Sequence, residues 1–258
     1  MGAMTQGVAG DTASRQHRAM AELLSLDAVT LRRSEDGRHF PVLDRLSLVV
    51  APGEFIAISG ARRSGKTSLL RVAAGLELPQ GGVVRVGGRR LTGVSGGARA
   101  RHARAVGYVP KRLRLAEGRR VVDHLVLPLL AERVPLATAT ARAHEALDRI
   151  GAMALASTPP HDLNAGQQTL VALAQALVRR PALLLADEPG ATAEPDERAE
   201  LLRLLWSLVR ESPDLALVLT TRDEIGRAGA TRELTLSDGR LTGESSHGRV
   251  VALPTRAR

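Results

Sequence analysis

The chain has 258 residues, 44% of them apolar, which is enough for one large α/β domain with a full hydrophobic core. It has no cysteine, which excludes disulfides, thiolate zinc sites and cysteine nucleophiles, and fits a reducing compartment. The formal net charge is +9, carried almost wholly by arginine, with lysine only at Lys66 and Lys111. That charge reads either as a compositional bias toward arginine or as attraction for a phosphate-rich partner: nucleotide, nucleic acid or anionic headgroups.

Aromatic residues are only 2%, so the core must come from Leu, Val, Ala and Ile. No apolar run approaches the ~18 residues a membrane span needs. The longest, at 181–186 and 215–219, are strand-sized. Residues 1–16 are small and polar and lack the apolar centre of a secretory signal. These features predict a cytoplasmic protein with at most peripheral membrane contact. Residues 1–20 read as a tag remnant and a disordered lead-in, and 244–258 as a basic flexible tail.

In chain order, strands are expected at 24–31, 46–50, 55–59 and 82–86, with the turn Ala51-Pro52-Gly53-Glu54 between the second and third. From 98 to 180 the character becomes helical. Apolar residues recur at helical spacing over 121–132 and 137–150, Pro159-Pro160 breaks the pattern, and a helix follows over 166–179. The run 182–186 is continuously apolar, as a parallel strand buried on both faces requires. A helix over 197–211, a second buried strand at 215–219 and a hairpin over 233–241 around Asp238-Gly239 complete the order.

Gly60-Ala61-Arg62-Arg63-Ser64-Gly65-Lys66-Thr67 fits the pattern G-x-x-x-x-G-K-[ST] between an expected strand and an expected helix over 67–74, with Ser68 next in line. Gly60 and Gly65 let the loop curl with its N–H groups inward, an anion nest at a helix N-terminus. Lys66 is placed to reach β- and γ-phosphates, and Thr67 to offer a hydroxyl to Mg²⁺. Arg62 and Arg63 either face solvent or strengthen anion binding. Further on, the apolar run 182–186 ends in Asp187 and Glu188. Adjacent acids at a buried strand end suit a metal and a water: Asp187 for Mg²⁺, Glu188 as general base.

Ahead of that strand stands Leu163-Asn164-Ala165-Gly166-Gln167-Gln168, which resembles the LSGGQ signature of the ABC (ATP-binding cassette) ATPases. The order of phosphate loop, helical insert, signature and Leu185-Ala186-Asp187-Glu188-Pro189 resembles that family over about residues 24–243, in wording most like its lipoprotein-release and macrolide-export branch. The resemblance implies an α/β fold: a P-loop NTPase (RecA-like) core with an antiparallel β subdomain and a helical subdomain at about 98–180, within an ATPase domain spanning 21–243. It implies ATP and Mg²⁺ as ligands. Asn164, Ala165, Gly166 and Gln167 would meet the γ-phosphate bound by a second ABC subunit, in a homo- or heterodimer. It also implies transmembrane permease subunits as partners, at the inner face of the cell membrane.

Several positions depart from the family pattern. Gly107-Tyr108-Val109-Pro110-Lys111 aligns with its Q-loop and puts Lys111 where glutamine is expected; lysine can bind phosphate but repels a cation. Thr221-Arg222-Asp223 aligns with its histidine switch and puts Arg222 where histidine is expected. Arginine is donor-only and stays charged; it either stabilises γ-phosphate charge or swings to solvent. Glu194 stands for an aspartate, Asn164 and Ala165 for Ser and Gly. Arg33 stands where an adenine-stacking tyrosine is expected; its guanidinium can stack on a base, as can His39 or Phe40 if the register slips. Three functions follow: an active transporter ATPase, with Glu188, Lys66 and Arg222 as its catalytic set; a degenerate subunit that binds ATP but turns over slowly; and a soluble ABC protein on nucleic acid, whose binding would fall steeply with salt.

Overall fold

The computed structural model describes residues 22–35, 38–222 and 224–246. The expected tag remnant at 1–20 and the tail beyond 246 lie outside them. Asp223 does too, and so does the side chain of His39.

Strands β1 (Leu24–Glu35), β2 (Arg38–Val50), β4 (Gly81–Val86) and β5 (Arg89–Arg90) form an antiparallel sheet in the order β2-β1-β4-β5. A second sheet contains β3 (Phe55–Ser59), β6 (Val106–Val109), β7 (Leu183–Asp187), β8 (Ala216–Thr220), β9 (Arg232–Ser237) and β10 (Arg240–Ser246), in the order β10-β9-β3-β8-β7-β6. Its strands run parallel except β10, which turns back on β9 through Asp238 and Gly239.

The continuous apolar runs have a direct structural cause. Side chains alternate faces along a strand, and this sheet is covered on both. Ile56, Ile58, Leu183, Leu185, Ala216 and Val218 enter one core, shared with β1, β2 and helix α1 (Lys66–Ala73). Their neighbours Phe55, Ala57, Leu184, Ala186, Leu217 and Leu219 enter a second core on the opposite face. Helices α3 (Val121–Leu130), α4 (Leu136–Arg149), α5 (Ala165–Leu177) and α6 (Pro195–Glu211) build that second core. Helix α6 contributes Leu201, Leu202, Leu205 and Leu208, one stripe at helical spacing.

Helix α3 contains Pro128, which cannot donate to the carbonyl of His124 one turn back. Gln175 of α5 stands in: its Nε2 donates to that carbonyl at 3.4 Å. The proline therefore ties α3 to α5.

The sequence reading needs one correction. The stretch 98–180 is not helical throughout. Helix α2 (Gly96–Ala103) is followed by β6, which pairs in parallel with β7 as the edge of the second sheet. Four residues with Val106 and Val109 buried give too short a signal for period-2 alternation to be seen. The consequence is functional, because β6 delivers Lys111 beside β7. The β1–β2 pairing also reaches further than expected, across residues 32–41.

Leu173 of α5 is completely buried in the second core. Leu173→Ala is expected to lower unfolding free energy by about 2–5 kcal/mol, read from urea denaturation; a loss below ~1 kcal/mol would mean that the helices do not pack there as described.

Candidate active site

The loop between β3 and α1 is shaped by its glycines. Gly65 has φ +103, and a Cβ there would lie 2.6 Å from the carbonyl oxygen of Val42, so only glycine fits. A Cβ on Gly60 would lie 2.5 Å from the Leu236 carbonyl oxygen. Lys66 is 5% exposed and curls back over the loop, where Nζ donates to the carbonyls of Gly60 at 2.7 Å and Ala61 at 2.9 Å. Burial pulls its pKa down, opposed by the nearby Glu188 carboxylate. The hydroxyl of Ser64 is buried and has no hydrogen-bond partner among the described residues. A buried polar group without a partner at the heart of an anion nest fits a site made for an oxyanion.

The acids are brought to this loop by the parallel ladder, which pairs Asp187 with Thr220. Thr67 Oγ1 donates to Asp187 Oδ2 at 2.8 Å, and Thr220 Oγ1 donates to Asp187 Oδ1 at 2.9 Å. Both carboxylate oxygens are thus fixed by hydroxyls. Thr220 also accepts from the Glu188 N–H at 3.0 Å, which pins Glu188 at φ +42. That left-handed backbone is costly for a residue with a side chain, by about 1–3 kcal/mol, and is kept by this buried bond.

The Glu188 carboxylate meets three cations. Lys111 Nζ lies 2.7 Å and Arg222 Nε 3.0 Å from Oε2, and Lys66 Nζ lies 3.5 Å from Oε1. Burial pulls this carboxyl up, but Lys111, Arg222 and Lys66 together hold it below the usual carboxylate range. Arg222 does not swing to solvent, and Lys111 and Arg222 converge on the expected general base.

Thr67 and Asp187 are hard oxygen donors in contact, the type Mg²⁺ takes beside phosphate oxygens and water. Among the described residues no group of three or more His, Cys, Asp or Glu could hold a metal by itself.

A cavity of about 590 Å³ opens over the loop and runs from Lys111, Glu188 and Arg222 to Arg33 and Phe40. The β1–β2 register sets Arg33 directly opposite Phe40, so these two of the three alternatives for a base platform share one wall, the side chain of the third, His39, lying outside the described residues. Arg33 is tethered there, donating to Ser68 Oγ at 3.3 Å and Glu77 Oε1 at 2.9 Å. Arg62 and Arg63 line the rim and stay exposed.

The signature residues sit elsewhere. None of Asn164, Ala165, Gly166 or Gln167 lines this cavity. Asn164 caps α5: its Oδ1 accepts from Gln167 N–H at 2.8 Å, while Gln167 Oε1 accepts from Asn164 N–H at 3.0 Å. Asn164 Nδ2 donates to Glu197 of α6 at 3.1 Å, and a Cβ on Gly166 would lie 2.7 Å from a Glu197 oxygen. A carboxylate thus already covers this helix N-terminus. Glu194 is the residue preceding α6.

Sequence reading missed Thr220 and Glu77. Thr220 carries a faint signal, a hydroxyl at the end of a buried apolar strand. Glu77 carries none, since it meets the site through Arg33 while its other oxygen pairs with Arg71.

Thr220→Val would strip partners from Asp187 Oδ1 and the Glu188 N–H at once. Denaturation should show a loss of about 1–3 kcal/mol per group left unsatisfied. Wild-type stability in this variant would contradict the network.

A family model described as ABC transporter matches residues 43–191, more than half of the chain. The lipoprotein-releasing system ATP-binding protein LolD of Maricaulis maris is 38% identical over 222 residues, covering 85% of this chain and 96% of that protein. The macrolide export ATP-binding/permease protein MacB of Rhodospirillum rubrum is 34% identical over 223 residues, covering 85% of this chain but only 34% of that longer protein. An ATP-binding cassette solved as a dimer in a post-hydrolysis state with ADP and Pi matches with a TM-score of 0.80 at 25% identity, covering 86% of this chain and 98% of its own. The chain belongs to the ABC transporter family and is one of its ATP-binding ATPase cassettes.

Proposed function

We propose that the chain binds ATP with Mg²⁺ in the cleft over residues 60–68 and hydrolyses it as one half of a dimer that drives separate membrane-spanning permease subunits. The observation that carries this reading is the convergence of Lys66, Thr67 and Glu188 on one cavity, with the buried Asp187 bound to Thr67 behind it. The N–H groups of the loop and Lys66 take the β- and γ-phosphates; Thr67 and Asp187 hold the metal; Glu188 draws a proton from the attacking water. Bound Mg²⁺ would supply charge neutralisation at the phosphates. The signature, lying outside the cavity, is available to a second cassette, homo- or heterodimeric, whose phosphate would displace Glu197 from the α5 N-terminus. A dimeric solved neighbour supports that arrangement.

The partner reading is supported by a second groove of about 670 Å³ between α2, β6, α3 and α5. Leu76, 53% exposed, lines it, with Arg99, Arg104, Arg179 and Pro128. Arg104 and Arg179 pair there with Glu132, at 3.4 and 2.7 Å, so an apolar floor with a rim of mixed charge faces the partner, which suits an amphipathic permease segment. Among the described residues no helix is long and apolar enough to cross a membrane. We place the cassette at the cytoplasmic face, against a permease of the lipoprotein-release or macrolide-export type.

A slower, degenerate subunit is the second reading. It is favoured by one observation: Glu188 is held by three cations, which weakens it as a base. The relatives named are transport proteins, and nucleic-acid binding gains no support from them.

Steady-state hydrolysis by the purified chain separates these readings. The first predicts turnover that falls by ~10²-fold or more in Glu188→Gln and vanishes in Lys66→Ala. ATP bound in a Lys66-dependent way without turnover would establish the second, and hydrolysis indifferent to both substitutions would overturn the site. At the groove, Leu76→Asp should leave basal hydrolysis intact and weaken permease association roughly tenfold or more; unchanged recovery of the complex in detergent would move the docking surface elsewhere.

A further inference from the structure

The two residues that set this cleft apart from the family pattern meet at one atom. Lys111 Nζ and Arg222 Nε both approach Glu188 Oε2, at 2.7 and 3.0 Å, and Lys66 Nζ stands at Oε1 at 3.5 Å. Three cations meet this carboxylate, and with Asp187 acting on Lys66 from farther off the positive charge still outnumbers the negative. A terminal phosphate carries nearly twice the charge of a carboxylate and offers three acceptor oxygens, one for each cation.

Mobility is distributed to suit an exchange of anions. Glu188 is pinned through its backbone, by φ +42 and the N–H bond to Thr220. Lys111 and Arg222 reach in from the open side, with side chains 40% and 49% exposed, so their heads can follow a ligand. Lys66 already bridges Glu188 and the phosphate loop. All four residues line the same cavity.

We propose that Lys111 and Arg222, with Lys66, form a three-cation seat for the terminal phosphate of a nucleoside triphosphate, filled by Glu188 in the free protein. The cleft then selects triphosphate over diphosphate by charge, with little need for a divalent cation. This rests on the ATP-binding reading above. A diphosphate leaves Glu188 on its cations, whereas a triphosphate takes the seat and frees the carboxylate. The positive heads of Lys111 and Arg222 do part of the neutralisation otherwise left to Mg²⁺ at Thr67 and Asp187. If the ion pairs to Lys111 and Arg222 were purely structural, replacing those two residues would leave the ATP/ADP preference where Lys66 and the loop set it.

The test is calorimetric titration of the full chain with ATP and with ADP, each in Mg²⁺ and in EDTA. Wild type is compared with Lys66→Ala, Lys111→Gln, Arg222→His and the double variant. Two charge-assisted hydrogen bonds at about tenfold each predict that wild type in EDTA prefers ATP by roughly a hundredfold. Removing Mg²⁺ should weaken ATP binding to wild type by less than about fivefold, well under the loss expected for one missing charge-assisted bond. Each single variant should lower the ATP/ADP ratio, and the double variant should bring it within about threefold of unity in EDTA and restore dependence on Mg²⁺. Because the ratio is taken within one variant, partial misfolding lowers both affinities and leaves it unmoved. An unchanged ratio in the variants overturns the proposal, as does a wild type that loses ATP in EDTA. Failure of wild type to bind either nucleotide, or binding indifferent to Lys66→Ala, overturns the ATP-binding reading itself and the proposal with it.

Discussion

The parallel ladder of β3, β8 and β7 is the constraint on which the site depends. Apolar strands can be buried on both faces only if both faces are covered; here helices cover one side, and α1 with the antiparallel sheet covers the other. The ladder then brings two distant stretches of sequence to one edge. Residues 60–68 leave the end of β3, and Asp187 and Glu188 leave the end of β7, with Thr220 of β8 between them. The short bond from Thr67 to Asp187 joins the two ends. No local feature of either motif could position the other.

Charge supplies the second layer of organisation. Asp187 is held by two hydroxyls, with no cation among the described residues bonded directly to it. Its neighbour Glu188 is held by Lys66, Lys111 and Arg222. Adjacent carboxylates thus sit in opposite surroundings, and such divergence separates roles in acid–base chemistry. The signature segment repeats the theme, with Glu197 covering the N-terminus of α5. In the isolated chain, each half of the expected nucleotide sandwich is therefore occupied by a carboxylate of its own.

Much of this was legible in the residues. The glycines and Lys66 of the loop, the paired acids and the continuous apolar runs have chemistry that fixes their setting. The helix expected over 166–179 followed from apolar spacing after Pro159-Pro160, whereas the reciprocal cap of Asn164 and Gln167 at its start came only with the structure. What stayed hidden was set by tertiary pairing. β6 was absorbed into a helical stretch because four residues show no period. The placing of Arg33 opposite Phe40 depends on a register that no single strand reveals. Lys111 and Arg222 were visible as departures, yet their meeting at Glu188 required β6 and β8 to flank β7.

A structure of the chain with Mg²⁺ and a non-hydrolysable ATP analogue would test the account most directly. It predicts phosphates cradled by residues 60–68, the terminal phosphate among Lys66, Lys111 and Arg222, and Glu188 released from Lys111. A nucleotide bound elsewhere on the chain, or one bound in the cleft while Glu188 keeps all three cations, would contradict it.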